Sequence, residues 1–277
     1  LEAEVSLPFD VLYKNLLGRV LQGRPSQSRA GETRRIFATS LDVTDLQDGF
    51  PALTLRRLHF KGIFGELAAF ITGTTRLQDF KDFGCNYWDA NAAAWPMNRH
   101  FQPESHVVGE VYGYQWRHWG GKLDQLHHLI EGLKQDPAGR RHLLMSYNPT
   151  AHACLPACHI VSQFYVDDIY LDCCVTMRSV DVILGLPSDI ILYATLQHLI
   201  GLECNLIPRR LVFNMGDTHI YTDHMEGAYT MLQRPLNHLI PMLDLSLSCS
   251  LFNFKPSHVK VVNYEPQPSI AGLALNV

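Results

Sequence analysis

The sequence predicts a single α+β domain spanning residues 1–277, and three observations carry that reading. Apolar residues recur at helical spacing in several separated segments, beginning with Leu12, Leu16, Leu17 and Val20. Two apolar, β-branched runs, 160–166 and 169–176, lie back to back with Asp167 and Asp168 between them. No internal repeat, low-complexity tract or linker-like stretch divides the chain, so helices and strands are expected to share one core.

Taken in order, residues 10–22 read as an amphipathic helix stopped by Gly23 and Pro25. Residues 26–33 are small and polar and read as a loop that carries Arg29, and residues 35–43 alternate loosely as a strand. Within 58–71, Ile63, Phe64, Leu67, Phe70 and Ile71 have helical spacing, and Gly73 supplies a C-cap. The stretch 85–108 is the least regular and reads as an insertion or lid. Residues 123–133 form the next helix, and Asp136-Pro137-Ala138-Gly139 turns the chain into a short strand over 142–147. The two β-branched runs form a hairpin. Residues 189–202 read as a long, mostly apolar helix, which predicts that it is buried all round. A strand over 211–215, a helix over 223–232, a strand over 259–262 and a small, apolar tail from Pro266 complete the chain.

Composition excludes several classes. Lys plus Arg number 23 against 27 Asp plus Glu, a net charge of −4, which lacks the basic footprint of a duplex-DNA binder. No apolar run reaches the ~18–20 residues of a membrane span. The chain opens without the basic start and apolar stretch of a signal peptide. Seven cysteines, an odd count, argue for reduced thiols in a cytosol-like compartment, so a cytoplasmic location is expected. No dinucleotide fingerprint, phosphate loop, zinc-protease helix or nucleophile elbow is present.

The densest reactive cluster is His152, Cys154, Cys158 and His159. It reads as a zinc site, as a nucleophilic cysteine beside basic groups, or as buried small hydrophobes. The zinc reading, a metal-stabilised binding protein, lacks a second Cys-x-x-Cys pair. Arg29, Arg140, Arg141 and Arg178 carry forks suited to phosphate, although each alone also suits a solvated surface. Trp88 and Tyr112 suit either a flat ligand or the core.

In order, the motifs resemble the thymidylate synthase superfamily. Leu155-Pro-Ala-Cys158-His159, followed by Gln163-Phe-Tyr-Val, is similar to that family's nucleophile motif. Arg178-Ser179-Val180-Asp181 with Leu184-Gly185-Leu186-Pro187, and Gly216-Asp217-Thr218-His219-Ile220-Tyr221, resemble two further family segments. Leu46–Pro51, Gly65-Glu66-Leu67, Val111-Tyr112-Gly113 and Gln115-Trp116-Arg117 match upstream.

The resemblance implies a three-layer α+β fold whose curved mixed sheet packs against its copy in a homodimer. It implies one-carbon transfer from 5,10-methylenetetrahydrofolate, a co-substrate, to pyrimidine C5, with no metal, membrane or nucleic acid required. Cys158 would add to C6 of the base, with His159 beside it. Arg29, Arg178 and Ser179 would hold the 5′-phosphate, with Arg140 and Arg141 reaching in from the other subunit. His219 and Tyr221 would bond the sugar, and Gln163 belongs to the same nucleotide set. Glu66 would organise water and proton transfer, and Tyr112 would assist loss of the C5 proton. Trp88, Asp181, Leu184 and Gly185 would contact the folate, over which the tail ending at Val277 would close.

Departures sharpen the expectation. Asp189 stands where the family normally has Asn. An Asn amide complements the N3–H donor and O4 acceptor of uracil; a carboxyl group accepts from cytosine N4 and, sharing a proton, bonds N3 as well. Deoxycytidylate hydroxymethylases carry the same Asp, and they share Met177 before Arg178. This points to hydroxymethylation of dCMP, with dCMP methylation, hydroxymethylation of CMP and dUMP methylation as alternatives. The competing reading is that Asp189 merely N-caps the helix at Ile190. Ser188 and Asn91 replace aromatic residues expected along the folate wall, and Tyr147 replaces a Trp.

Overall fold

The computed structural model describes residues 8–273, so Val277 lies outside the described residues. Helix α1 (Phe9–Leu21) matches the first amphipathic pattern. The segment expected to be a loop instead forms strand β1 (Arg24–Ser28), which turns through Arg29 and Ala30 into β2 (Gly31–Val43). The backbone satisfies that hairpin with polar residues exposed on both faces, so it leaves no hydrophobic alternation to detect. Arg29 is thereby held at a two-residue turn that ends in Gly31 at φ 132°.

Helix α2 (Phe60–Thr72) ends at Gly73, φ 74°, as its composition predicts. The irregular stretch is no open insertion. Short helices α3 (Leu77–Asp82) and α4 (Asp89–Ala94) and two 3-10 turns fold across α2. Asn98 pins them with its amide, donating to Ala92 O and Val107 O at 2.8 Å each. Helix α5 (Tyr112–His118) approaches α2 closely: a Cβ at Gly113 would lie 2.6 Å from the Phe70 backbone. Helix α6 (Gln125–Gln135) begins two residues later than expected, because Asp124 caps it by accepting from His127 N at 3.1 Å.

Strands β3 (Leu143–Met145), β4 (His159–Asp167) and β5 (Tyr170–Asp181) follow, the last two as the expected hairpin. Helix α7 (Gly185–Cys204) is buried on all sides and crosses over to β6 (Ile207–Tyr221), which runs parallel to β5. Both elements outrun their expected bounds. Polar residues extend β6 on its outer side, where Arg209 pairs with Asp172 and Asp167, Arg210 with Asp42, and Asp217 with Arg35. Helix α8 (Met225–Gln233) packs on α1, and β7 (Met242–Leu245), unforeseen, pairs with β8 (Val259–Val262).

The main sheet is mixed, in the order β1-β2-β6-β5-β4-β3. One face carries α7, with α2 and α6 packed beyond it. Register breaks at Ile160 and between Leu171 and Asp172 bend the strands, as bulges do. The opposite face leaves Phe37, Tyr165 and Leu143 exposed.

Because Gly113 lets α5, with Tyr112, seat against α2, with Glu66, Gly113→Ala forces those helices apart. We expect a loss of about 1–3 kcal/mol, read as a fall in Tm of roughly 2–4 °C per kcal/mol. Thermal melts check this.

Candidate active site

The parallel strands β5 and β6 both end, at Asp181 and Tyr221, beside one cavity of about 580 Å³. A crevice at the carboxyl ends of parallel strands is where such folds bind ligands. All five candidate catalytic residues, Glu66, Tyr112, Cys158, His159 and Asp189, line it. So do Arg29, Ser179 and Tyr221 from the nucleotide set and Trp88, Asp181, Leu184 and Gly185 from the folate set.

Cys158 sits on the loop before β4. Its backbone N–H donates to Tyr112 Oη at 2.8 Å, and the same hydroxyl hydrogen-bonds the thiol. Burial pushes the thiol pKa up, and Asp189 adds to the rise, while Arg178 and Tyr112 draw it down. Arg178 supports the loop from below: Nε donates to Ala157 O and Nη2 to Pro156 O, each at 2.8 Å.

The bulge at Ile160 then decides which strand residues face the cavity. Strict alternation would put Gln163 on the same side as His159. The extra residue instead aligns His159 with buried Ser162 and Phe164, and leaves Gln163 exposed on the other face. The expectation that Gln163 joins this pocket is therefore corrected. Arg140 and Arg141 are exposed and do not line it. His219 lies beside it, its ring 5.2 Å from that of Tyr221 and its Nδ1 3.1 Å from Asp217 Oδ1.

Asp189 is no helix cap. Helix α7 begins four residues earlier, and the turn into it is held by Asp181, whose Oδ1 accepts from Ile183 N at 2.8 Å and Leu184 N at 3.4 Å. Pro187 falls in the first turn, where no N–H partner is needed. The Asp189 carboxyl group is thus free to line the cavity, with Oδ1 3.2 Å from His159 Nε2. Glu66 accepts from Trp88 Nε1 at 2.8 Å. Burial first, and then the Asp189 charge, push its pKa up to about 8, against the pull of the indole N–H.

Arg56, His59, Phe70 and Tyr87 also line the cavity, though sequence reasoning did not single them out. Arg56 is buried, donates from Nη2 to Ile183 O at 2.7 Å, and keeps Nε without a partner among the described residues. A basic residue inside the apolar run 50–58 was the available signal. The tail reaches the same cavity: Tyr264 Oη donates to Leu53 O and accepts from Leu58 N, and Leu273 lines the wall. Among the described residues no cluster of three metal-ligating side chains occurs. The seven cysteines are free, and no described helix is long and apolar enough to cross a membrane.

Covalent catalysis on a flat, anionic ligand is the chemistry this geometry equips: a thiol, carboxyl groups and basic side chains around aromatic walls. Comparison with known proteins agrees. A family profile described as Thymidylate synthase matches residues 11–274. A probable thymidylate synthase of Escherichia phage T5 is 38% identical over 270 residues, covering 93% of this chain and 96% of that one. A thymidylate synthase of Coxiella burnetii is 34% identical over 266 residues, covering 93% and 97%. The chain belongs to the thymidylate synthase family and is a folate-dependent one-carbon transferase.

The raised pKa of Glu66 makes a stability prediction. From the ordinary carboxylate value up to about 8 the unfolded chain releases a proton that the folded chain keeps, so rising pH costs stability there. Below that window both states are protonated, and above it both are ionised. Glu66→Gln removes this slope, so the variant should gain stability relative to the parent between pH 5 and 8 (order-of-magnitude bounds) and hold it above. Urea titrations across that range test it.

Proposed function

We propose that this enzyme adds a one-carbon unit to C5 of dCMP and releases 5-hydroxymethyl-dCMP. The observation that carries the reading is Asp189, a carboxyl group aimed into the cavity beside Cys158 and tied to His159 rather than to a helix end. A carboxyl accepts from the cytosine amino group and, with one proton, donates to N3; that proton makes the ring electrophilic at C6.

Cys158 gives up its proton and Sγ bonds C6, the C5–C6 π pair moves to C5 and bonds the one-carbon unit, and loss of the C5 proton and then of Sγ restores the double bond; Tyr112 steadies the sulfur through its hydroxyl. Glu66, holding its proton at neutral pH, moves protons near the base. Methylenetetrahydrofolate supplies the one-carbon unit. The cavity suits it: Trp88 and Tyr87 offer flat walls, and Arg56 offers an unspent N–H to a carboxylate-bearing ligand.

The carbon on C5 ends as hydroxymethyl when water reaches it and as methyl when a hydride does. Ser188 and Asn91 line the wall with groups that bind water, which favours the hydroxymethyl outcome. The relatives' names favour a second reading, methylation of dUMP.

The nucleotide assignment extends across two subunits. Phosphate is held by Arg29, Arg178 and Ser179, and by Arg140 and Arg141 of a second copy docked on the exposed sheet face, with His219 and Tyr221 on the sugar. Members of this family are typically dimeric.

Mass spectrometry of the nucleotide formed from dCMP and, separately, dUMP decides between the readings. A product heavier than dCMP by CH2O is expected; product from dUMP alone overturns the cytosine reading. Asp189→Asn should move preference toward dUMP by about tenfold or more, the size of one mismatched buried acceptor. Cys158→Ala should abolish turnover and keep nucleotide binding by calorimetry. Mixing Cys158→Ala with Arg140→Ala/Arg141→Ala protein should restore activity if the arginines cross between subunits, and should restore none otherwise.

A further inference from the structure

Behind His159 runs a buried line of polar groups that the steps above leave unused. Trp116, Ser146, Tyr193 and His159 are each at most 4% exposed. Trp116 Nε1 donates to Ser146 Oγ at 2.8 Å. An indole N–H can only donate, so Ser146 accepts there and its own hydrogen is free to point onward. It lies near Tyr193: burial raises the pKa of that phenol, and the hydroxyls of Ser162 and Ser146 draw it down. The Ser162 hydroxyl is fully buried and has no hydrogen-bond partner among the described residues.

The Tyr193 hydroxyl lies 3.0 Å from His159 Nδ1, and His159 Nε2 lies 3.2 Å from Asp189 Oδ1. A carboxyl oxygen that accepts there requires the ring hydrogen on Nε2, which leaves Nδ1 as a lone pair for the phenol to donate to.

We propose that Tyr193, oriented by Ser146 and Trp116, is a positioning residue that fixes the Nε2–H tautomer of His159 and so directs the Asp189 proton to Oδ2. With Oδ1 occupied as the acceptor of Nε2–H, Oδ2 is the oxygen left to carry a proton toward the base. The opposite tautomer would set a nitrogen lone pair against Oδ1 and draw the proton there, away from the substrate. The base-facing half of this inference rests on the cytosine reading above; the tautomer half does not.

The test is 15N NMR of the full chain labelled at histidine, without nucleotide, with the His159 ring signals assigned by their loss in His159→Gln. The parent protein should show a protonated Nε2 and an unprotonated Nδ1. Tyr193→Phe, which keeps the ring, should mix the tautomers, and the milder Ser146→Ala should mix them in part. Both should lower kcat/KM for dCMP by about three- to tenfold, the size of one hydrogen bond, with less effect on dUMP. A protonated Nδ1 in the parent, or an unaltered tautomer in Tyr193→Phe, overturns the proposal, and the parent spectrum decides even if a variant fails to fold. An Nε2–H tautomer in a protein that converts dUMP alone overturns the base-facing half and leaves the tautomer assignment standing.

Discussion

Three carboxyl groups line one cavity, and Asp181 is taken up by the turn into α7, which leaves Glu66 and Asp189 as an interacting pair on which the site depends. They repel each other when both are charged, and burial raises the cost of ionising Glu66. Glu66 accepts from the Trp88 indole, and Asp189 Oδ1 lies 3.2 Å from the His159 imidazole. The indole cannot change its role, whereas the imidazole can. Burial and the Asp189 charge hold the Glu66 proton to about pH 8 against that fixed donor, while in the proposed reading Asp189 meets a ring that Tyr193 orients.

The scaffold brings these groups together with few parts. Gly113 brings α5 against α2, so Tyr112 and Glu66 arrive from opposite helices at one cavity. The bulge at Ile160 turns His159 inward immediately after Cys158. Asp181 holds the turn into α7 and so frees Asp189, eight residues on, from any capping duty. Helix α7 is mostly apolar and buried along most of its length, so its placement is fixed largely by burial against both the sheet and the outer helices.

Much of this was legible in the sequence, because helical spacing and β-branched runs report burial directly. The first helix, α2, the β4–β5 hairpin and the buried α7 follow from those patterns. The β1–β2 hairpin did not, since its residues are exposed on both sides and carry no alternation. The ends of β6 escaped for a related reason: its Arg and Asp residues pair with neighbouring strands and look like loop in one dimension. The convergence of Cys158 with Glu66 and Asp189 was readable only through the resemblance of ordered motifs, because spacing along a chain does not measure distance in space. Gln163 shows the limit in the other direction, where a single inserted strand residue reverses a face.

Arg178 joins binding to chemistry in a way that the motif alone would not reveal. A guanidinium has five N–H donors. Arg178 gives Nε and one Nη2 hydrogen to the carbonyls of Ala157 and Pro156, the two residues before the nucleophile. Its charge also opposes the burial that holds the Cys158 thiol protonated. In the proposed reading, its remaining donors face the substrate phosphate. An anion bound there draws on the same rigid fork that fixes the loop, so seating the phosphate and seating the sulfur are one event. The same anion weakens the pull of Arg178 on the thiol, so the compensating stabilisation of the thiolate has to come from Tyr112 and from the electrophilic base itself. Attack by sulfur is thereby tied to a base whose N3 has already received its proton, and a bound nucleotide with the wrong base leaves the thiol in its resting, protonated form.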